Sequence, residues 1–425
     1  MDFNTFLIRF GIDPNNFVNR YCEPIKTQEG FIYEVEQRKD IRICPECDSI
    51  KAHIQDYTYV EINCSETDHI KDILRIKKVR FKCCNCNKTY TIPINGIDRY
   101  DRTSNQTIKM IVNDFFKVLS FSQIADRYGL TRQRILQIFD EKINFVPRRH
   151  LPFALCIDEI KFSKKIDQKY CCILYDHNKK MLVDIIRNRQ LPYLNEYFSD
   201  IKEKERDNVK IFVSDMYDAY ASVKRKYFPK ALHIVDLFHV TKQLTEAVNK
   251  IRVKAMKKIK GKSPLYYRFM KRHWRLFLKR KEDIPNKFYT DSKTLNRYHY
   301  DDLIYECCLN DQELLKAHNI LQDFYHYHLK RNFNDALVFI NYIADRLVYS
   351  DNDILIDVGN TYRKWSVEIA NGLSRSQRNK RYTNGIAESQ NNNLKTIIKV
   401  AYGYHNFERF RKRALMINSY KKDLE

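Results

Sequence analysis

Three acidic residues stand where buried carboxylates can do chemistry. Asp158 ends the apolar run ALCI, Asp215 ends the run IFVS, and Glu388 sits near the start of a helix-patterned segment, three residues after Gly385. A carboxylate beside a buried run is costly unless it has a partner or a metal. Each also has an ordinary reading, since Asp caps the turn after a strand and a first-turn acid suits the helix dipole. Taken together, three carboxylates suit hard, oxygen-loving Mg2+ or Mn2+. Two such ions roughly 4 Å apart can activate an attacking oxygen and stabilise a leaving one in phosphodiester displacement. Neighbouring acids compete for the role. Glu159 is expected to face away from Asp158 by strand alternation, and Asp218 lies beyond its strand. Asp236 is the serious rival. With His239 it closes the run IVDLFH, where His239 could orient a phosphate, transfer a proton or be a buried structural histidine.

A second constellation is made of sulfur. Cys44 and Cys47 form one CxxC, Cys83 and Cys86 another, with 35 residues between the two. Each CxxC turn points both sulfurs the same way, so the four thiolates can converge on one tetrahedral Zn2+. Cys84, His53 and His69 are alternative ligands. The stretch VRFKCCNCNKTYTI reads as strand, knuckle and strand, a zinc ribbon, and the long interval is expected to hold a β-hairpin. The other cysteines follow no pattern and read as small buried hydrophobes.

These groups need elements to position them. Residues 107–119 have helical apolar spacing, followed by SFSQIADRYGLTRQRILQIFD. Ser122 is expected to cap one short helix, Gly129 to supply the turn, and Thr131 to cap a second helix with Ile135 and Ile138 inward. Arg132, Gln133, Arg134 and Gln137 then line the outward face, side chains suited to base edges and phosphates. The pattern is a helix-turn-helix, with an ordinary αα-hairpin as the plainer alternative.

From Leu151 short apolar runs take over: FALCIDEIKF, KYCCILYDH and KMLVDIIRN, the last two joined through Asn178, Lys179 and Lys180. An amphipathic helix, the strand VKIFVSDMYDAY, a short helix and the strand ALHIVDLFHV follow. That order is α/β and ribonuclease-H-like. It breaks off at Thr241, and residues 241–379 are helical in pattern with no strand of note. The expected organisation is 1–100, an N-terminal segment with the zinc ribbon; 101–148, the helix-turn-helix; 149–240, the first part of the catalytic core; 241–379, a basic helical insertion; and 380–425, the last part of the core with C-terminal helices.

The 425 residues carry 76 Lys and Arg against 53 Asp and Glu, a net charge of +23. Such a surplus attracts polyanions, nucleic acid ahead of an anionic membrane surface. It is also clustered. Lys250 to Arg280 holds thirteen basic residues and no acid, interleaved with Tyr266, Tyr267, Phe269, Trp274 and Phe277. Lys257, Lys258, Lys271, Arg272 and Arg275 are candidate backbone contacts there, and Arg378 and Arg381 in a second acid-free stretch. Trp274 reads as a core residue more than as a base-stacking one. With 44% apolar and 13% aromatic residues, wholesale disorder is excluded. No uncharged stretch approaches the ~18 residues of a membrane span, and the start lacks a signal pattern, so a cytoplasmic, nucleoid-associated protein is expected.

The two CxxC knuckles, the helix-turn-helix, IDEIKF, SDMYDAY, YFPKALHIVDLFHV, the helical insertion, NGIAESQNNNLKTI and AYGYHNFERFRKR occur in that order. This series resembles the DDE transposases of bacterial insertion sequences, closest to the ISL3 group, from about residue 40 to 420. The resemblance implies that Asp158, Asp215 and Glu388 are the DDE triad, holding two Mg2+ or Mn2+ ions, beside one structural Zn2+. It implies binding to terminal inverted repeats, hydrolysis exposing 3′-OH ends, and their transesterification into target DNA by a homodimer or larger assembly. Asn384 and Gly385 match the family's Asn-Gly. Asn391 and Asn392 match its paired asparagines, expected to place the helix and touch the substrate backbone. Where the family usually has Glu-Gly, this chain has Glu388-Ser389. A non-catalytic DNA-binding regulator and a nuclease without strand transfer are the two rival readings.

Overall fold

The computed structural model describes residues 3–18, 23–40, 42–65, 71–145, 148–162, 169–326, 332–374, 382 and 385–420; for 385–388 and 419–420 only the helical backbone is described. Contacts divide the chain into two units, residues 1–148 with 393–425, and residues 149–392.

The first unit begins with helix α1 (Phe3–Arg9) and strands β1 (Ile25–Lys26), β2 (Gly30–Glu36), β3 (Ala52–Asn63), β4 (Lys71–Cys83) and β5 (Thr89–Thr91). They form one sheet in the order β1-β2-β4-β3, with β5 added to β4. The expected hairpin between the knuckles is present as the antiparallel pair β3–β4. Its period-two pattern buries Ile62, Leu74 and Ile76 against Phe3, Phe6 and Leu7 of α1. Across three neighbouring strands Arg75 pairs with Glu34 at 2.6 Å and Glu61 at 2.9 Å.

Helices α2 (Asn105–Asp114), α3 (Phe121–Arg127) and α4 (Arg132–Lys142) follow. Helix α2 stops earlier than its apolar spacing predicts, because Phe115 and Leu119 pack from the turn after it rather than from a continued helix. The cap of α3 is Ser120, not Ser122: its hydroxyl accepts from Gln123 N–H, and the Gln123 side chain accepts from Ser120 N–H, a reciprocal capping box. Thr131 caps α4 as expected, and Gly129 takes φ +59° in the turn. Ala125, Ile135 and Ile138 are buried where these helices meet.

The second unit is built on β6 (Ala154–Lys161), β7 (Tyr170–Asp176), β8 (Met181–Ile186), β9 (Ile211–Ser214) and β10 (Leu232–Val235), with α5 (Leu191–Ser199), α6 (Glu203–Arg206) and α7 (Asp218–Tyr227) between them. The sheet order is β10-β9-β6-β7-β8; β6, β7 and β8 run antiparallel, and β9 and β10 join parallel to β6. The β7–β8 turn is set by Asp176, whose Oδ1 accepts from Asn178 N at 2.8 Å and Lys179 N at 3.1 Å. One sheet face packs Leu155, Ile157, Cys172 and Leu174 onto Leu194 and Phe198 of α5 and Tyr220 and Val223 of α7.

Helix α8 (Leu237–Lys258) starts directly after β10 and leads into α9 (Pro264–Arg272), β11 (Phe288–Thr290), β12 (Arg297–His299), α10 (Tyr300–Leu309), α11 (Gln312–Tyr325), α12 (Phe333–Val348), α13 (Asp353–Lys364) and α14 (Ser366–Leu373). Among its described residues, the stretch read as strandless therefore holds one short antiparallel pair, β11–β12. Leu244, Val248, Phe277, Leu303, Leu321, Ile340 and Tyr362 share its core. Helix α15 (Gly385–Val400) spans the division between the units, and α16 (Phe407–Tyr420) belongs to the first. Residues 393–425, expected with the catalytic core, thus group with the N-terminal unit. Among the described residues no helix is long and apolar enough to cross a membrane.

Candidate active site and metal centre

Strands β6 and β9 pair in parallel from Ala154↔Ile211 to Cys156↔Val213. Asp158 and Asp215 each lie two residues further on, Asp158 still within β6 and Asp215 directly after the end of β9, and the charge of Asp158 is felt at Asp215. Strand β6 itself runs on to Lys161 against β7, so Asp158 is not a strand-end cap. Strand β10 extends the row: Val235 pairs with Ser214, Asp236 N donates to Ser214 O at 2.9 Å, and Asp236 stands level with Asp215.

The aspartates are treated differently. Asp158 Oδ1 accepts from Glu159 N at 2.8 Å and its Oδ2 from Asn391 Nδ2 at 2.8 Å. Burial raises its carboxyl above the ordinary range, although the Glu159 N–H, His239 and Asn391 all pull against it. Asp215 Oδ1 is buried and has no hydrogen-bond partner among the described residues. Burial pushes Asp215 up to about 6; His239 opposes this, and the carboxylates of Glu159 and Asp158 add to it. Asp236 is an N-cap, accepting from Phe238 N at the start of α8, with its Oδ2 4.0 Å from His239 Nε2. His239 is thus close enough to favour the charged form of both Asp158 and Asp215. Glu159 is ion-paired to Arg189, whose guanidinium lies 4.8 Å from the Tyr170 ring and 5.0 Å from that of Tyr217.

Glu388 lies in helix α15, and its side chain is outside the described residues, as are Asn384, Arg378 and Arg381. Asn391, one turn after Glu388, is buried. Its Oδ1 accepts from Tyr175 Oη at 2.8 Å, so this asparagine is committed inside the protein rather than presented to a substrate backbone. Asn392 is exposed.

The residues expected to meet nucleic acid are dispersed between the units. On α4, Arg132, Gln133 and Gln137 are exposed. Arg134 is drawn inward by Asp101 at 2.6 Å and Glu141 at 3.9 Å, and Gln137 donates to Glu141 at 2.8 Å. Lys257, Lys258, Lys271, Arg272 and Arg275 are exposed on the helical region, with Lys258 2.9 Å from Asp311. Trp274 is half-buried, with Arg275 4.5 Å from its ring.

In the first unit, Cys44, Cys47, Cys83 and Cys86 bring their sulfurs within 4.8 Å of one another. Cys44 and Cys86 are 3.7 Å apart, Cys47 and Cys83 3.6 Å. Four sulfurs at the usual Zn–S distance of ~2.3 Å stand roughly 3.8 Å apart, so the cluster has the size of a tetrahedral zinc site. Backbone N–H groups of Cys86 and Asn85 help lower the Cys83 thiol to about 6. At Cys86 a hydrogen bond from Lys88 N–H favours the thiolate, but burial and the three neighbouring sulfurs outweigh it and push the thiol up to about 12. The alternatives Cys84 and His53 are both exposed and lie beside each other at 3.8 Å, outside the cluster; His69 is outside the described residues.

Sequence reasoning did not find the link from Tyr175 through Asn391 to Asp158, or the Glu159–Arg189 pair. Strand alternation was a usable signal for the first: Tyr175 pairs with Cys156, two residues before Asp158, on the same sheet face.

Residues 155–414 match the family model of the ISL3-type DDE transposases. That match spans more than half of the chain, and the chain belongs to this transposase family. No curated protein matches it.

Proposed function

We propose that the protein is the DNA transposase of an insertion element, with Asp158, Asp215 and Glu388 as its catalytic acids. One observation carries this reading: Asp158 and Asp215 each follow the paired ends of the neighbouring parallel strands β6 and β9 by two residues, and one Asp215 oxygen is buried with no partner among the described residues. A buried, unpartnered carboxylate oxygen fits a site completed by a cation. Helix α15 carries Glu388 one turn before Asn391, and positions three apart share a helix face, which supports Glu388 as the third ligand. Mg2+ or Mn2+, two per site, would supply activation of the attacking oxygen and charge stabilisation of the leaving one. The protein's own part would be to hold the three carboxylates for the ions, with His239 placed to favour the ionised forms of Asp158 and Asp215. Asp236, committed as the cap of α8, is an accessory residue with His239 rather than a member of the triad.

The strand order, three antiparallel strands and then two parallel ones reached through helices, supports a ribonuclease-H-like core over 149–240, with the basic helical insertion following it. Exposed lysines and arginines of that insertion, Lys257, Lys271, Arg272 and Arg275 among them, would hold DNA phosphates. The α3–Gly129–α4 hairpin supports a helix-turn-helix reading terminal repeats through Arg132 and Gln133, the exposed start of α4. The cysteine cluster would hold one structural Zn2+. Uniting two element ends calls for a dimer or larger assembly.

The test is incubation of the full chain with Mg2+ and DNA bearing the element's ends. Cleavage followed by joined products is expected. Binding alone would replace this reading with that of a regulator, and cleavage without joining with that of a nuclease.

A further inference from the structure

We infer that Asn391 is a positioning residue for Asp158, oriented in turn by Tyr175; this rests on the reading of Asp158 as a metal-binding acid. Tyr175, fully buried on β7, donates its hydroxyl proton to Asn391 Oδ1 at 2.8 Å. A phenol can donate or accept, but the Asp158 carboxylate can only accept, so the amide oxygen faces Tyr175 and takes its proton. The NH2 end is thereby turned toward Asp158 and donates to its Oδ2 at 2.8 Å. With Glu159 N–H on Oδ1 at 2.8 Å, each oxygen of Asp158 is engaged by one N–H, and the plane of the carboxylate is fixed.

The two central aspartates are therefore unequal. Asp158 is held by protein donors on both oxygens, whereas Asp215 Oδ1 has none among the described residues. Each Asp158 oxygen keeps a lone pair, and its direction is set before any cation arrives. Partners of this kind, one step removed from a metal, commonly govern its affinity. The bond does a second job. Asn391 sits on α15, so seating its amide between β6 and β7 also fixes that helix over the sheet, and Gln390 Nε2 donates to Lys180 O at 3.2 Å beside it. Glu388 is on the same helix, one turn before Asn391.

The experiment titrates full-length protein with Mn2+ and follows the free-ion EPR signal, alongside Mn2+-dependent cleavage of end DNA and plain DNA binding. Asn391→Leu is expected to weaken Mn2+ binding roughly 10–100-fold and to move the Mn2+ midpoint of cleavage by the same factor, with DNA binding unchanged. Tyr175→Phe, which loses only the orienting hydroxyl, is expected to shift both in the same direction by a smaller factor. It decides the question if the Asn391 variant does not fold. Wild-type Mn2+ affinity and midpoint in the folded variants, with Asp158→Asn inactive, would overturn this inference alone. Wild-type cleavage by Asp158→Asn would overturn the underlying reading as well.

Discussion

Asp158 and Asp215 each lie two residues past the Cys156–Val213 pair of the parallel strands β6 and β9, and the charge of Asp158 is felt at Asp215. Parallel pairing brings the two chain segments side by side through backbone geometry rather than through flexible side chains. Both carboxylates are half-buried; burial raises each above the ordinary range, and at Asp215 the charges of Glu159 and Asp158 add to the rise. Such an arrangement is unfavourable for a purely structural pair and suited to one that binds cations.

The cysteine cluster gives the first prediction. Metal analysis of the full chain should find about one Zn2+, lost in a Cys44→Ser, Cys86→Ser variant. Zinc removal by a chelator should lower the melting temperature of the first unit, because four converging thiolates then lack their counter-charge. An equal metal content in wild type and variant would contradict the site.

Arg413 gives a second. It is buried in the first unit and reaches Asp114 O at 3.4 Å, Lys117 O at 3.2 Å and Leu119 O at 2.6 Å, with Phe115 O closer still. These are carbonyls at and beyond the end of α2, where a cation also complements the helix dipole. Arg413→Leu leaves them unsatisfied and should cost roughly 3 kcal/mol in denaturant unfolding. Arg409→Ala, which breaks a surface pair with Asp140, should cost less than about 1 kcal/mol.

His233 predicts a pH dependence. Burial, with repulsion from Lys224 and Arg225, lowers it to about 4, and its Nε2 is 2.9 Å from Ser214 Oγ. A base with a depressed folded pKa contributes stability that is present above its unfolded value of ~6.5 and lost as pH falls from there toward 4. His233→Gln keeps an N–H donor and does not titrate. Its stability should fall less across that window, by up to about 3 kcal/mol in urea unfolding at pH 7 and pH 4. Identical pH profiles would count against a neutral, buried imidazole.

For nucleic acid, Lys271→Ala with Arg272→Ala should weaken binding to every duplex alike and reduce the salt slope of the affinity by about 1–2. Gln133→Ala should instead reduce the preference for end DNA over unrelated DNA. Fluorescence anisotropy over a salt series separates the two effects, and an unchanged slope would remove these two basic residues from the interface.

The core strands were legible because their apolar runs are dense: ALCI, CCIL and IFVS can hardly be anything but buried strands. What was not legible depends on distant partners. The β11–β12 pair has three-residue strands with Phe288 exposed, too short for any alternation to register. The apolar spacing through Phe115 and Leu119 continued past α2 because those residues pack from a turn closed by Arg413, some 300 positions away. Ser120 and Ser122 are equivalent on propensity, and only the Gln123 side chain distinguishes them, by completing the capping box. At the site, the pairing of the strands that carry or precede Asp158 and Asp215 followed from strand order. The bond from Asn391 to Asp158 joins residues 233 positions apart, and strand alternation marked only the side of it where Tyr175 and Asp158 share a sheet face.

The most direct measurement is cleavage of end DNA in Mg2+ by Asp158→Asn, Asp215→Asn and Glu388→Gln, each checked for DNA binding. Each amide is expected to lower cleavage by at least a thousandfold, equivalent to about 4 kcal/mol of barrier, while binding stays at the wild-type level. Cleavage at the wild-type rate by any one of the three would contradict the triad.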